Sequence, residues 1–120
     1  MRALHLTADL YRCRCDPRLL REPERLRAVC LQLLEAAAAR PEGDLFHAAA
    51  GGGLAGCVLL AQGQIGVRTD PASRTAALDV VHALGTDGDA GPARALMDAL
   101  IASLAPEWSE QRSLDRGEDT

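Results

Sequence analysis

The stretch Leu54-Ala55-Gly56-Cys57-Val58-Leu59-Leu60-Ala61-Gln62-Gly63-Gln64-Ile65-Gly66-Val67-Arg68-Thr69-Asp70 decides how this chain folds. Leu54 to Ala61 is a nearly continuous apolar run, which suits a central strand or one buried on both sides. Gln62-Gly63 supplies turn chemistry. Beyond it Ile65, Val67 and Thr69 alternate with Gly66, Arg68 and Asp70, the period of a strand with one covered face. Two strands joined by a tight turn form a β-hairpin, and the rest of the domain is arranged around it.

Upstream, residues 3–11 alternate Leu4, Leu6, Ala8 and Leu10 with His5, Thr7, Asp9 and Tyr11, a half-buried strand. A polar connection follows, and Pro23 is well placed to open a helix. Leu26, Val29, Cys30, Leu33, Leu34 and Ala37 recur at helical spacing, so the helix is expected to run to about Arg40, before Pro41-Glu42-Gly43. Residues 44–49 read as a short strand ahead of the turn Gly51-Gly52-Gly53. Downstream, Thr75–Leu84 is a further strand and 85–91 a Gly- and Asp-rich loop. Pro92 opens a second helix with an apolar stripe of Leu96, Met97, Leu100, Ile101 and Leu104.

The order β-α-β-β-β-β-α predicts an α+β two-layer sandwich, an antiparallel sheet with two helices packed on one face. The domain is expected to span residues 1–106, with 107–120 a polar C-terminal tail. At 120 residues there is room for one core. It must be built from Leu, Val and Ala, because Tyr11, Phe46 and Trp108 are the only aromatics.

Composition excludes several chemistries. All 13 basic residues are arginine, so no lysine is present for a pyridoxal phosphate Schiff base or a phosphate-binding P-loop. Seventeen acidic residues give a net charge of −4, and no basic run or basic-aromatic interleaving suggests nucleic acid. No stretch is long and apolar enough to span a bilayer, and the N-terminus lacks the apolar core of a signal peptide; a cytoplasmic location is expected. Cys13, Cys15, Cys30 and Cys57 then read as reduced thiols that fill strand and helix positions. No metal site is expected, since Cys13-x-Cys15 has no second pair of ligands at a suitable spacing.

Several colinear segments carry a family resemblance. His5-Leu6-Thr7-Ala8-Asp9-Leu10-Tyr11-Arg12-Cys13, Phe46-His47, Gly53 to Ala61, Ile65 to Pro71, Ala76-Ala77-Leu78-Asp79-Val80 and Arg116-Gly117 follow one another as motifs of the small prokaryotic S-adenosylmethionine decarboxylases do. The chain thus resembles this pyruvoyl-dependent lyase family over nearly its whole length. The resemblance implies a sheet-and-helix fold that assembles into dimers with active sites near the subunit interface. It also implies a link to polyamine (spermidine) biosynthesis.

The family makes its own cofactor by cutting the chain before a serine, whose hydroxyl attacks the preceding carbonyl and whose remnant becomes the pyruvoyl group. Gln62-Gly63 stands where the family carries Glu-Ser. Glycine has no β-heteroatom, so no pyruvoyl group can form at Gly63 and no cofactor is expected. The family's processing histidine falls on Arg68, a poor base. Its assisting serine falls on Ala55, and its proton-donor cysteine at or next to Ala83. The ribose-binding carboxylate becomes Ala72, and an adenine-stacking aromatic becomes Ala49.

The leading expectation is a non-catalytic relative that acts by protein association, as a homodimer or as a heteromer with an active paralogue. An alternative is a small-molecule binder whose remodelled pocket includes Phe46, His47, Arg68 and His82, with Arg68 offered to a carboxylate or phosphate unless it pairs with Asp9, Asp70 or Asp79 or points to solvent. A third possibility is a different, non-pyruvoyl reaction using His5, His47, His82 or the cysteines, although no two of these sit at a spacing that requires proximity. His82 is otherwise expected to be a strand residue with a local hydrogen bond.

Overall fold

A computed structural model describes residues 2–84 and 88–117. The strands are β1 (Ala3–Cys13), β2 (Pro41–Ala48), β3 (Leu54–Leu60), β4 (Gly63–Asp70), β5 (Thr75–Ala83) and β6 (Pro106–Arg116). The helices are α1 (Pro23–Ala36) and α2 (Gly91–Leu104), and a short 3-10 turn covers Pro17–Leu20. Among the described residues the strands form one antiparallel sheet in the order β2-β3-β4-β5-β1-β6. Both helices lie on the same face of it, α1 against β2 and β3, α2 against β1 and β5, and they touch each other. This is the expected α+β two-layer sandwich.

Alternation in β1 works as the sequence implies. Leu4, Leu6, Ala8 and Leu10 are buried under the helices, while His5, Thr7, Asp9 and Tyr11 face away from them. Ile65, Val67, Leu78 and Val80 extend the same buried layer across the sheet, and Leu26, Cys30, Leu34, Leu96, Met97, Leu100 and Leu104 close it from above. Fully burying such side chains contributes about 1.5–3 kcal/mol each, so this layer is the main source of stability.

Three expectations change. The segment read as a polar tail is an 11-residue strand, β6, paired with β1 from Ala3↔Arg116 to Cys13↔Pro106. Its side chains are mostly exposed, so it carries no apolar period; main-chain pairing and the Glu107 carboxylate, held by Arg12 and Arg14, fasten it instead. Helix α1 stops at Ala36 and not near Arg40. Ala38 takes a left-handed φ of 55°, and the amides of Ala38 and Ala39 bond back to the carbonyls of Glu35 and Leu34. Alanine is the best helix former, so a cap built from it leaves no signal in the sequence.

The third concerns β3, which is interior to the sheet, between β2 and β4, as one of its two readings has it, but is not buried on both sides. Leu54 and Val58 are under the helices, but Cys57 and Leu59 face the uncovered side, where Leu59 is 49% exposed. The expected loop at 85–91 falls partly outside the described residues, as do positions 118–120 of the former tail.

Candidate functional site

The ladder registers place residues in rows that run across the helix-free face. One row reads His47, Ala55, Arg68, Ala77, Asp9 and Glu110 from edge to edge. The next reads Leu45, Cys57, Gly66, Asp79, Thr7 and Arg112. Ala55, Gly66 and Ala77 carry little or no side chain, so the surface sinks between the larger residues around them. The result is an open depression of about 380 Å³ bordered by His47, Arg68, Asp79, Leu45 and Cys57.

Arg68 is exposed and, among the described residues, makes no ion pair. Of the fates open to it in the sequence, it takes the solvent-facing one and pairs with none of Asp9, Asp70 and Asp79. Asp9 instead meets Arg112, which also reaches Glu110. Asp79 has no ion-pair partner among the described residues either. Its carboxylate leans across to β4 over Gly66, where a Cβ would stand 2.6 Å from Oδ2. A side chain at 66 would displace the carboxylate from this position.

The residues singled out in the sequence do not meet in one place. Ala55, His47 and Arg68 share the depression. Phe46 does not; successive strand residues point to opposite faces, so the residue next to His47 packs against the helix-side core. Gln62, Gly63, His82 and Ala83 cluster at the far end of the hairpin, where the Ala83 amide donates to the Gln62 carbonyl at 2.6 Å. Five residues of extended strand separate Gly63 from Arg68, a span of about 17 Å. Ala72 lies on the exposed turn between β4 and β5, its amide bonded to Asp70.

Gly63 is closely enclosed. A Cβ built there would lie 1.9 Å from the Val81 carbonyl oxygen and 3.0 Å from the His82 Cα. His82, opposite Gly63 in the ladder, points to the helix side and lines a second cavity of about 160 Å³ with Gln62, Arg40 and Pro92. Its Nδ1 is buried without a hydrogen-bond partner, so the local bond expected of this residue is not made by that atom. Thr69, the nearest hydroxyl on β4, is fully engaged: it accepts from the Leu54 amide and donates to the Leu20 carbonyl.

The four cysteines are free thiols, Cys13 and Cys30 buried, Cys15 and Cys57 partly so. Burial pushes Cys13 up from 9.0 to about 11 and Cys30 to about 12, which keeps both protonated and unreactive at neutral pH. Among the described residues no three His, Cys, Asp or Glu side chains are grouped so as to hold a metal ion. No helix among them is long and apolar enough to cross a membrane. Sequence reasoning named Asp79 as one of three candidate partners of Arg68, and missed Cys57 and Leu45 as its neighbours around the depression. The period of two assigns each to the uncovered face, but only the strand order makes them adjacent.

The model of the S-adenosylmethionine decarboxylase family matches residues 4–117. An S-adenosylmethionine decarboxylase proenzyme of Hydrogenobaculum sp. (strain Y04AAS1) is 32% identical over 114 residues, 95% of this chain and 81% of that one. A proenzyme of the same name from Pyrococcus furiosus is 25% identical over 103 residues, 86% of this chain and 71% of that one. The crystal structure of the adenosylmethionine decarboxylase from Aquifex aeolicus VF5 superposes with a TM-score of 0.85 at 27% identity, covering 98% of this chain and 92% of that one. Fold, length and colinear sequence thus agree, and the chain belongs to the S-adenosylmethionine decarboxylase family.

Proposed function

We propose that this chain is a non-catalytic member of its family and works by associating with another subunit through the helix-free face of its sheet. The observation that carries the reading is Gly63. A pyruvoyl group is the remnant of a side chain bearing a β-heteroatom, and glycine supplies neither the nucleophile nor the leaving group. The surroundings also do not fit such a group, because the Val81 carbonyl occupies the space a side chain at 63 would need. Arg68 and Ala55, standing where the resemblance implies a processing histidine and serine, offer no base and no hydroxyl.

The distribution of the family-site positions supports association. One chain holds Ala55 and Arg68 toward one end of the β3–β4 hairpin, and Gln62, Gly63 and Ala83 at the other end, with Gly63 on the helix side of the sheet. A second subunit stacked face to face, with its strands reversed, would set the first end against the second. The partner would be a second copy or an active family member of polyamine biosynthesis. The experiment is the intact mass of the purified protein together with co-elution. A single species at the full 12.7 kDa is expected. Two fragments, one with a blocked N-terminus, would overturn the reading.

A second reading, a small-molecule binder, is favoured by Arg68, exposed and without an ion-pair partner among the described residues, beside the depression of about 380 Å³. Calorimetry with S-adenosylmethionine, its decarboxylated form and polyamines tests it, and no heat with any of them would remove it. The third possibility, a different enzymatic reaction, gains no support. His5 and His47 lie in different rows of one face and His82 on the other.

A further inference from the structure

Where the β3–β4 turn meets the ends of the two helices, the helix side of the sheet is left unfilled. Helix α1 stops at Ala36 and the chain turns away at Ala38, while α2 enters with Pro92 and Ala93. Ala39, Ala61 and Ala93 therefore stand at the ends of three elements, where leucines fill the layer elsewhere. A methyl group is too short to close such a gap, and a cavity of about 160 Å³ remains, with Leu60 and Leu96 in its wall.

Three polar side chains line the same cavity, and the described chain satisfies none of them. His82 has its Nδ1 sealed from solvent without a partner, and no hydrogen bond from the described residues reaches its Nε2 either. Arg40 makes no ion pair among them. Gln62 is bonded through its main-chain carbonyl, and its side-chain amide has no partner among them. Arg40 and Gln62 are exposed and His82 is half-buried, so the first two stand at the mouth and the imidazole further in. Other charges on this side are matched within the chain, Arg27 by Asp44 and Arg25 by Glu22. An unmatched cation and two free donors around an apolar hollow are the pattern that recognises an anion with an apolar tail.

We propose that this cavity binds a short-chain monocarboxylate, its carboxylate held by Arg40 at the mouth and its hydrocarbon tail laid against Leu60 and Leu96. An apolar cavity of about 150 Å³ takes a group the size of benzene, so the ligand has about six to eight non-hydrogen atoms. Its oxygens accept from the guanidinium, from the Gln62 amide and from His82 Nε2–H. That last bond draws the ring proton to Nε2 and leaves Nδ1 a lone pair, which tolerates enclosure better than an unpaired N–H does. Inorganic phosphate fits less well, because one arginine meets only part of its charge and it has no tail to bury. The cavity lies on the opposite side of the sheet from the helix-free face, so its occupation and association through that face are independent.

Calorimetry on the full-length chain with straight-chain carboxylates from acetate to octanoate tests the proposal. Affinity should rise about four-fold with each methylene up to about hexanoate, and stop rising once the cavity is full. Hexanoate should bind with a Kd of about 1 mM or tighter. Hexanol, which lacks the charge, and phosphate, which lacks the tail, should each bind at least about ten-fold more weakly. Arg40→Gln should weaken hexanoate at least about ten-fold and Gln62→Ala less, with circular dichroism confirming that each variant is folded. The imidazole 15N resonances of His82 should report a proton moving to Nε2 as the ligand binds. No saturable binding at about ten times the expected Kd would overturn the proposal. So would an affinity independent of chain length, or full affinity in Arg40→Gln. Loss of binding in Arg68→Gln instead would put the carboxylate in the depression on the other face and overturn it too. None of these results alters the intact mass or the co-elution, so the non-catalytic reading stands or falls separately.

Discussion

Placing a serine at position 63, where the resemblance implies one, tests whether the surroundings of Gly63 still support self-cleavage. In Gly63→Ser the new Cβ would stand 1.9 Å from the Val81 carbonyl oxygen, against an ordinary contact beginning near 3.4 Å, so the two strands must part by about 1.5 Å at this point. The neighbour is main chain in a paired strand and not the end of a flexible side chain, so it cannot swing aside. Overpacking of this kind costs about 1–3 kcal/mol. Replacing glycine within a strand returns about 0.5–1 kcal/mol through the lower entropy of the unfolded chain. The net loss is then about 0–2.5 kcal/mol, centred near 1 kcal/mol. For a chain of this size a loss at that centre lowers the melting temperature by about 3–6 °C. Intact mass and differential scanning calorimetry on the same sample read both consequences. The expected result is one full-length species with a reduced Tm. Fragments ending at Gln62 would show that Ala55 and Arg68 do not prevent processing. A Tm equal to the wild type would show that the backbone around Val81 accommodates a side chain; either outcome would refute the reasoning.

Other expectations follow from the same geometry. Truncation after Ala105 removes β6 and leaves β1, whose alternate residues form the core, as an unprotected sheet edge; the shortened chain should aggregate or melt well below the full one in a thermal scan with light scattering. Ala38→Gly and Ala105→Gly replace alanines with left-handed φ of 55° and 47° at the ends of α1 and α2. Relief of about 1–2 kcal/mol of strain exceeds the entropy cost of glycine, so each should gain about 0.5–1 kcal/mol in urea unfolding. Stability should fall in alkali between about pH 9 and 12. The folded-state values of Cys13 and Cys30 are raised from 9.0 to about 11 and about 12, so above pH 9 the unfolded chain loses protons that the folded chain retains. Cys30→Ala should flatten that decline in urea midpoints compared at pH 8 and 10.5.

How much of the fold is legible in the sequence depends on which signals are local. Alternation in residues 3–11, the helical spacing from Leu26 and from Leu96, and the hairpin around Gln62-Gly63 are each properties of a few consecutive residues, so two helices and five strands were legible along with the α+β class. So was the absence of a β-heteroatom at Gly63, because that is a fact about one side chain. Strand β6 was hidden, since an exposed edge strand held by main-chain bonds and by Arg12 and Arg14 on Glu107 needs no apolar period. The early end of α1 was hidden by an alanine cap.

The site divides in the same way. Sequence alone named Arg68, Ala55, Gln62, Gly63, Ala72 and Ala83 through their motifs, and the period of two could tell which face each strand residue takes. It could not say that Arg68 and Asp79 are neighbours, or that about 17 Å of β4 separates Arg68 from Gly63, because adjacency across a sheet depends on strand order and register. Nor could it separate Phe46 from His47 until one face was known to carry the helices. The long apolar run at Leu54 to Ala61 shows the division most clearly. Its composition allowed either a central strand or burial on two sides; β3 is interior to the sheet, and the single chain covers only one of its faces. The side chains are a local property; whether something covers them is decided by how the layers stack.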